Sequence, residues 1–149
     1  MKKVLPIFLL AMLLSTLAVQ AQPLPKIKSF VDVEYVSGGI SLEEEQALAE
    51  MAKDFTLKVV TALSCGDYLN KINLLILDGS GGIVLETVTN GPILYANLPT
   101  GKYTVVAEAF GEQYKKPMTA KTGRQKQLVF YWPVEPKACD KGNNKKNKE

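Results

Sequence analysis

Residues 91–106 read Gly-Pro-Ile-Leu-Tyr-Ala-Asn-Leu-Pro-Thr-Gly-Lys-Tyr-Thr-Val-Val, and this stretch decides the fold. The apolar run before Leu98 predicts a strand, Leu-Pro-Thr-Gly at residues 98–101 predicts a tight turn, and a second strand follows. Proline presets the backbone of the second turn position, and glycine suits the fourth. On the second strand four side chains alternate onto one face, namely Tyr103, Val105, Ala107 and Ala109. The stretch therefore predicts a β-hairpin, and it contains no reactive group.

Residues 1–21 are predicted to be a cleavable signal peptide. Lys2 and Lys3 precede an apolar stretch, residues 4–17, that is short for a membrane span. Val19-Gln20-Ala21 places small residues at the two positions that signal peptidase reads. We expect cleavage after Ala21 and export to the periplasm or secretion, with an uncleaved anchor as the alternative. No later stretch of the sequence is apolar and long enough for a membrane helix.

Residues 22–54 are predicted to be an N-terminal extension with a helix at about residues 42–53. Ser41 suits the N-cap, and Glu44, three residues later, completes a capping box. The acidic run 43–45 is favoured by the helix dipole, and a metal or acid/base site there is the alternative. One helix face carries Leu48, Met51 and Phe55. We expect this face, together with the apolar segment at residues 30–36, to cover a second apolar side of the β-structure, unless a partner or a second copy does so.

Residues 55–133 are predicted to form one β-domain. Short strands at roughly ten-residue spacing indicate a sandwich or a barrel. Pro117 restricts its strand to a sheet edge, where a partner strand could add. After Pro133 the sequence becomes polar and lysine-rich, so residues 134–149 are predicted to be a disordered basic tail. The predicted strands are seven: 55–63, 71–77, 83–89, 93–97, 102–110, 113–121 and 127–132.

Three stretches of this β-domain carry a family resemblance. They are Ile-Asn-Leu-Leu-Ile-Leu-Asp at 72–78 with the glycine turn after it, Leu-Pro-Thr-Gly-Lys-Tyr-Thr-Val at 98–105, and Leu-Val-Phe at 128–130. With them the chain resembles a carboxypeptidase regulatory-like domain in a stand-alone exported bacterial protein. The resemblance implies a mainly β fold, a seven-stranded Greek-key Ig/transthyretin-like β-sandwich with one short N-terminal helix. It also implies docking or binding rather than a reaction.

The absence of histidine from the sequence excludes several classes of active site. Ser-His-Asp and Cys-His nucleophile systems, histidine zinc sites and a histidine general base all need this residue. Residues 78–82 lack the lysine and the helix of a phosphate loop, and their one carboxylate, Asp78, is too few for an EF-type calcium loop. We therefore predict no catalytic, cofactor-binding or metal-binding residue. The alternative is a small glycan-acting enzyme that uses carboxylates such as Glu108 and Glu112.

Cys65 and Cys139 are the only cysteines of the chain. In an oxidising compartment they could form a disulfide, because one follows the first predicted core strand and the other follows the last. Such a bridge would close a loop of about 74 residues and stabilise the fold by about 4 kcal/mol in the chain-entropy model. The alternative is a pair of unbridged thiols.

Charge is unevenly distributed along the sequence. Residues 22–90 carry five lysines against ten acids, whereas residues 91–149 carry eleven basic residues against five acids. The asymmetry is either chance or the mark of a dipolar molecule that pairs head to tail or meets an anionic surface. Export argues against a nucleic-acid partner. We expect a non-enzymatic module that binds a protein, the cell envelope or a ligand, or that forms a homo-oligomer. The candidate interaction residues are Phe110, Lys115, Lys116, Tyr131, Lys145 and Lys146.

Overall fold

The computed structural model describes residues 23–134, in which nine strands form two sheets beside one helix. The helix, α1, spans Leu42–Met51. The expected signal peptide and residues 135–149, with Cys139, Lys145 and Lys146, lie outside the described residues. The strands are β1 (Lys28–Phe30), β2 (Val33–Gly38), β3 (Leu57–Leu63), β4 (Asn73–Asp78), β5 (Ile83–Val88), β6 (Ile93–Asn97), β7 (Gly101–Ala109), β8 (Glu112–Ala120) and β9 (Lys126–Trp132).

One sheet has the strand order β1-β2-β6-β3-β9 and the other the order β5-β4-β7-β8. Neighbouring strands are antiparallel except β3 and β9, which run parallel. The predicted mainly β class with one short helix is confirmed. The sequence predicted seven strands, whereas residues 23–134 contain nine. The two additional strands, β1 and β2, come from the segment before the helix. Three-residue β1 is too short to show a periodic pattern, and β2 is buried on both faces, so neither alternates along its length.

A single hydrophobic core lies between the two sheets. Every strand from β2 to β9 contributes inward side chains to it. On β7 these are Val105 and Ala107, with Tyr103 and Ala109 packed against the core, on the face that the sequence predicts. Trp132 and Phe130 of β9 are its largest buried side chains. Pro117 lies on β8, which is an edge strand as predicted. The start of β7, the end of β8 and the start of β9 lie together at one end of the two sheets, where the candidate site is found.

The helix covers the outer side of the five-stranded sheet over β2 and β6, as predicted. The segment at residues 30–36, which was expected to help cover that side, instead contributes to β1 and β2 of the sheet itself. Leu48 is fully buried, and the helix packs in a second hydrophobic cluster with Val36, Ala52, Phe55, Ile93 and Tyr95. Ser41 accepts the Glu44 backbone N–H at 3.2 Å, and the Glu44 carboxylate accepts the Ile40 N–H at 2.8 Å. The helix ends two residues earlier than expected, because Ala52 leaves the helical dihedrals with φ −113° and ψ 15°.

The predicted hairpin at residues 91–106 is wrong in one respect. Its two strands, β6 and β7, lie in different sheets, and the Leu-Pro-Thr-Gly turn carries the chain from one sheet to the other. Thr56 fastens this turn, since its hydroxyl accepts the Leu98 N–H at 2.7 Å and donates to the Leu98 carbonyl at 2.9 Å. Alternation along β6 and β7 identifies two strands but does not say which strand pairs with which.

Candidate functional site: a basic cavity between turns

A cavity of ≈ 700 Å³ lies at the end of the molecule where the turns after β4, β6 and β8 meet. We call it the basic cavity because four cationic side chains line it. Lys102 comes from β7, Lys121 and Arg124 from the turn between β8 and β9, and Lys126 from the start of β9. Its other lining residues are Asp78, Gly79, Tyr103, Thr104, Pro117, Met118 and Thr119.

Charge in the basic cavity differs from that of the surrounding protein. Residues 23–134 contain eleven basic and twelve acidic side chains, so they are close to neutral as a whole. Four of these cations line the cavity, against one carboxylate, that of Asp78. A concave site with one sign of charge concentrates the field and attracts ligands of the opposite sign.

The one carboxylate of the cavity is already engaged by its own turn. Asp78 Oδ1 accepts the Ser80 hydroxyl at 2.7 Å and the backbone N–H groups of Ser80 and Gly82 at 2.9 Å each. The Ser80 hydroxyl, followed by these backbone donors, holds the pKa of Asp78 below its ordinary value. The carboxylate therefore stays ionised at neutral pH, with Oδ1 bonded to its own turn.

The loop that carries Lys121, Arg124 and Lys126 is held by hydrogen bonds on both sides. The side-chain amide of Gln125 donates to the carbonyls of Ala52 and Phe55, at 3.0 Å each, and so joins the loop to the end of the helix. The Lys126 N–H donates to the Thr56 carbonyl at 2.8 Å. These bonds fix the backbone from which the exposed cationic side chains project.

Lys121 and Arg124 face each other across the turn between β8 and β9. Their backbones form an antiparallel bridge, and the Arg124 N–H donates to the Lys121 carbonyl at 3.1 Å. Like charges directly opposite each other on neighbouring strands destabilise the pair. Within residues 23–134, four residues donate hydrogen bonds to the protein from side-chain nitrogens: Gln113, Lys116, Gln125 and Trp132. None of them is a cavity cation, so the four cavity cations remain available to a ligand.

Tyr103 forms part of the cavity wall and ties it to the turn after β6. Its hydroxyl donates to the Pro99 carbonyl at 2.9 Å. Burial, and secondarily the negative charge of Asp78, raise the pKa of Tyr103 above its ordinary value. The phenol therefore remains protonated and keeps this hydrogen bond at neutral pH.

The two lysines that the sequence singles out on β8 have different surroundings. Lys116 Nζ donates to the Val129 carbonyl of β9 at 2.6 Å and lies 5.4 Å from the centre of the Phe130 ring. It thus bridges the edge strands of the two sheets. Lys115 lies opposite Val106 on β7 and is exposed. Neither residue lines the basic cavity.

The two candidate aromatic residues also lie apart from each other. Phe110 is 75% exposed at the tip of the β7–β8 hairpin, where its φ of 54° and that of Gly111, 75°, place both in the left-handed region. Tyr131 is 56% exposed and lines a separate groove of ≈ 350 Å³ with Glu45, Lys58 and Tyr68 on the outer side of the five-stranded sheet. Tyr95 and Trp132 are buried, so they do not join Phe110 and Tyr131 in an exposed aromatic surface.

Cys65 is exposed and lies beside the point where the described chain ends. Its neighbour Ser64 donates its N–H to the Trp132 carbonyl at 2.8 Å, and the Ser64 hydroxyl accepts the Val134 N–H at 3.2 Å. The expected partner, Cys139, lies outside the described residues. Residue 134, from which the chain continues toward Cys139, is therefore held next to Cys65.

Sequence reasoning missed the four cations of the basic cavity. Two signals pointed to them: the excess of positive charge after residue 91, and the position of Arg124 as the only arginine in the chain.

The described residues contain no cluster of three or more Cys, Asp or Glu side chains suited to a metal ion, the helix start at 43–45 included. No helix in residues 23–134 has the length and apolarity that crossing a bilayer requires.

In comparisons with known proteins, no family model and no curated protein sequence matches this chain.

Proposed function

We propose that this protein is a non-enzymatic, exported binding module whose basic cavity holds an anionic group of the cell envelope or of a ligand from it. One observation carries the proposal. Four cations from two chain segments, β7 and residues 121–126, line one cavity, and the single carboxylate beside them is bonded to its own turn. The uneven charge of the sequence supports it, because the basic residues after position 91 supply all four cations.

The proposal includes the architecture that the resemblance implies, a Greek-key Ig/transthyretin-like β-sandwich of the carboxypeptidase regulatory-like type. Two sheets around a shared core support this architecture. The crossing from β6 to β7 between sheets, and the return of β9 to pair with β3, also favour it. Export rests on the predicted signal peptide at residues 1–21.

A glycan-acting enzyme requires two carboxylates that converge on one site. Among the residues that line the basic cavity, only Asp78 carries a carboxylate. Among those that line the groove beside Tyr131, only Glu45 does. Glu112 instead accepts the Tyr114 hydroxyl at 2.9 Å, which raises the pKa of that tyrosine. These positions favour binding over catalysis.

Binding to cell envelopes isolated from the producing organism tests the proposed function. We expect the protein to sediment with envelopes at low salt and to be released at high salt, because charge attraction is screened. The double variant Lys121→Gln/Lys126→Gln should bind at least several-fold more weakly. The matched control, Lys28→Gln/Lys53→Gln, removes the same charge outside the cavity and should bind like the wild type. Equal binding by both double variants, or binding that salt leaves unchanged, would overturn the proposal.

A further inference from the structure

Resting on this proposed function, we propose that the basic cavity recognises a phosphomonoester group and that Arg124 is the residue that selects it. The shared chemistry is a terminal phosphate, whether on a soluble molecule or on a lipid headgroup. Lys102, Lys121 and Lys126 supply positive charge around it.

Residue 124 is the only arginine of the chain. The other seventeen basic residues of the chain are all lysines, and its one arginine lies in this cavity. Guanidinium presents a planar fork of donors that binds two oxygens of one phosphate or carboxylate at once, whereas an ammonium acts as a point charge. A lysine would supply attraction alone, whereas an arginine at this position can bind an oxyanion in a defined orientation.

The charge of the cavity distinguishes phosphate from carboxylate. Four cations and one carboxylate leave a formal excess of three positive charges around the ligand. A carboxylate brings one negative charge and two acceptor oxygens. A phosphomonoester brings close to two charges at neutral pH and three acceptor oxygens, so it can satisfy Arg124 and a lysine together.

The backbone around Arg124 is fixed on both sides. Its own N–H is bonded to the Lys121 carbonyl, and the next residue, Gln125, is anchored by two hydrogen bonds to the end of the helix. Gly123, with φ 74°, allows the tight turn that sets Lys121 and Arg124 opposite each other. An anion between these two side chains would relieve the repulsion of their like charges.

The test is an NMR titration of the full chain, exported with its own leader, with two probes on one carbon skeleton: glycerol 3-phosphate and glycerate. We expect glycerol 3-phosphate to shift the resonances of Lys121, Arg124 and Lys126, and glycerate to bind more weakly. Arg124→Lys keeps the charge and should weaken phosphate binding roughly tenfold through the lost bidentate geometry. Lys115→Gln, outside the cavity, should leave both affinities unchanged.

The pH dependence supplies a second readout. The second ionisation of a phosphomonoester has a pKa of about 6, so its affinity should fall as the pH drops through that value. Glycerate remains ionised over the same range, and its affinity should stay constant. Phosphate binding equal in wild type and Arg124→Lys, or glycerate binding as tight as phosphate, would overturn the inference. Envelope binding that still depends on Lys121 and Lys126 would then leave the proposed function standing.

Vesicles distinguish the two sources of phosphate. Phosphatidylcholine vesicles that contain phosphatidic acid expose a lipid phosphomonoester, whereas vesicles of phosphatidylcholine alone do not. Sedimentation that requires both phosphatidic acid and Arg124 supports the inference with a lipid as the source, and binding of glycerol 3-phosphate supports it with a soluble ligand. Failure of both probes to engage Arg124 would overturn it.

Discussion

The hydroxyl oxygens of Thr100 and Thr122 lie 3.1 Å apart, and the Thr122 N–H donates to Thr100 Oγ1 at 3.3 Å. Thr100 belongs to the Leu-Pro-Thr-Gly turn that carries the chain between the sheets. Thr122 lies between Lys121 and Arg124 in the turn from β8 to β9. The turn that the sequence marks most clearly therefore also holds the loop that supplies most of the cavity charge.

Thr100→Val should loosen that loop without removing a charge. It deletes both hydrogen bonds to Thr122, and we expect the free energy of unfolding to fall by about 1 kcal/mol. Anion affinity should fall as well, since the cations lose their fixed backbone. Urea unfolding and a glycerol 3-phosphate titration measure the two effects. Thr87→Val is the matched control outside the cavity, and an equal loss of affinity there would contradict the role of Thr100.

Lys116 protects the open edges of the two sheets. Lys116→Met keeps the aliphatic chain but removes the donor to the Val129 carbonyl, so we expect a loss of about 1 kcal/mol in unfolding free energy. The edges of β8 and β9 then lose an inward-pointing charge that opposes strand addition, and self-association should increase. Urea unfolding and sedimentation velocity measure these effects. Lys115→Met makes the same charge change on the next residue, and identical behaviour of the two variants would refute this role.

Asp78 should make stability fall at acid pH. Its pKa lies below the ordinary value of 3.8 in the folded protein, so its contribution is present above that value and is lost as the pH falls through the lowered pKa. Asp78→Asn removes this dependence. We expect the variant to be less stable than the wild type near neutral pH and the difference to shrink below about pH 3.8, as urea unfolding across that range would show. A difference that stays constant with pH would argue against the turn as its origin.

Cys65 and Cys139 are expected to form a disulfide in the exported protein. Cys139 is five residues beyond Val134, and five extended residues span up to about 17 Å, enough to return to Cys65 beside Ser64. Peptide mapping by mass spectrometry without reduction should find the cross-linked pair. Cys65→Ser should lower the free energy of unfolding by up to about 4 kcal/mol under oxidising conditions, with no difference after reduction. Two alkylatable thiols in the exported protein would exclude the bridge.

Phe110→Asn should stabilise the protein. Both turn residues between β7 and β8 have positive φ, a geometry that favours Asn-Gly and disfavours a bulky side chain at the first position. We expect a gain of about 0.5–1 kcal/mol in unfolding free energy from relieved backbone strain, measured by urea denaturation. Phe110→Ala is the control, because it removes the ring but retains a residue poorly suited to this conformation. A loss of stability in Phe110→Asn would show that the ring makes a contact that the fold needs.

Local chemistry accounts for the features that the sequence predicted well. Ser41 and Glu44 begin the helix by satisfying backbone N–H groups within four residues. Leu74 and Ile76 face the core because strand side chains alternate. Pro117 lies on an edge strand because it has no N–H to donate to a central ladder.

The errors concern strand partners. β6 has buried residues on both faces, one packed in the core and one under the helix, and its neighbours in the sheet are β2 and β3. The adjacent turn suggested β7 instead. β2 was missed because its burial comes from neighbours distant in sequence and from the helix, and β1 because its three largely exposed residues are too few to show a pattern.

The sequence by itself determined the β-rich class, the helix start, the turns and the excess of positive charge after residue 91, because each depends on residues close together in the chain. Only the tertiary structure decided that Lys102, Lys121, Arg124 and Lys126 line one cavity. That convergence follows from the placement of β6 and β7 in different sheets and from the hydrogen bonds of Thr100, Gln125 and Thr56. These contacts join segments more than twenty residues apart, and no local pattern encodes which distant segments meet.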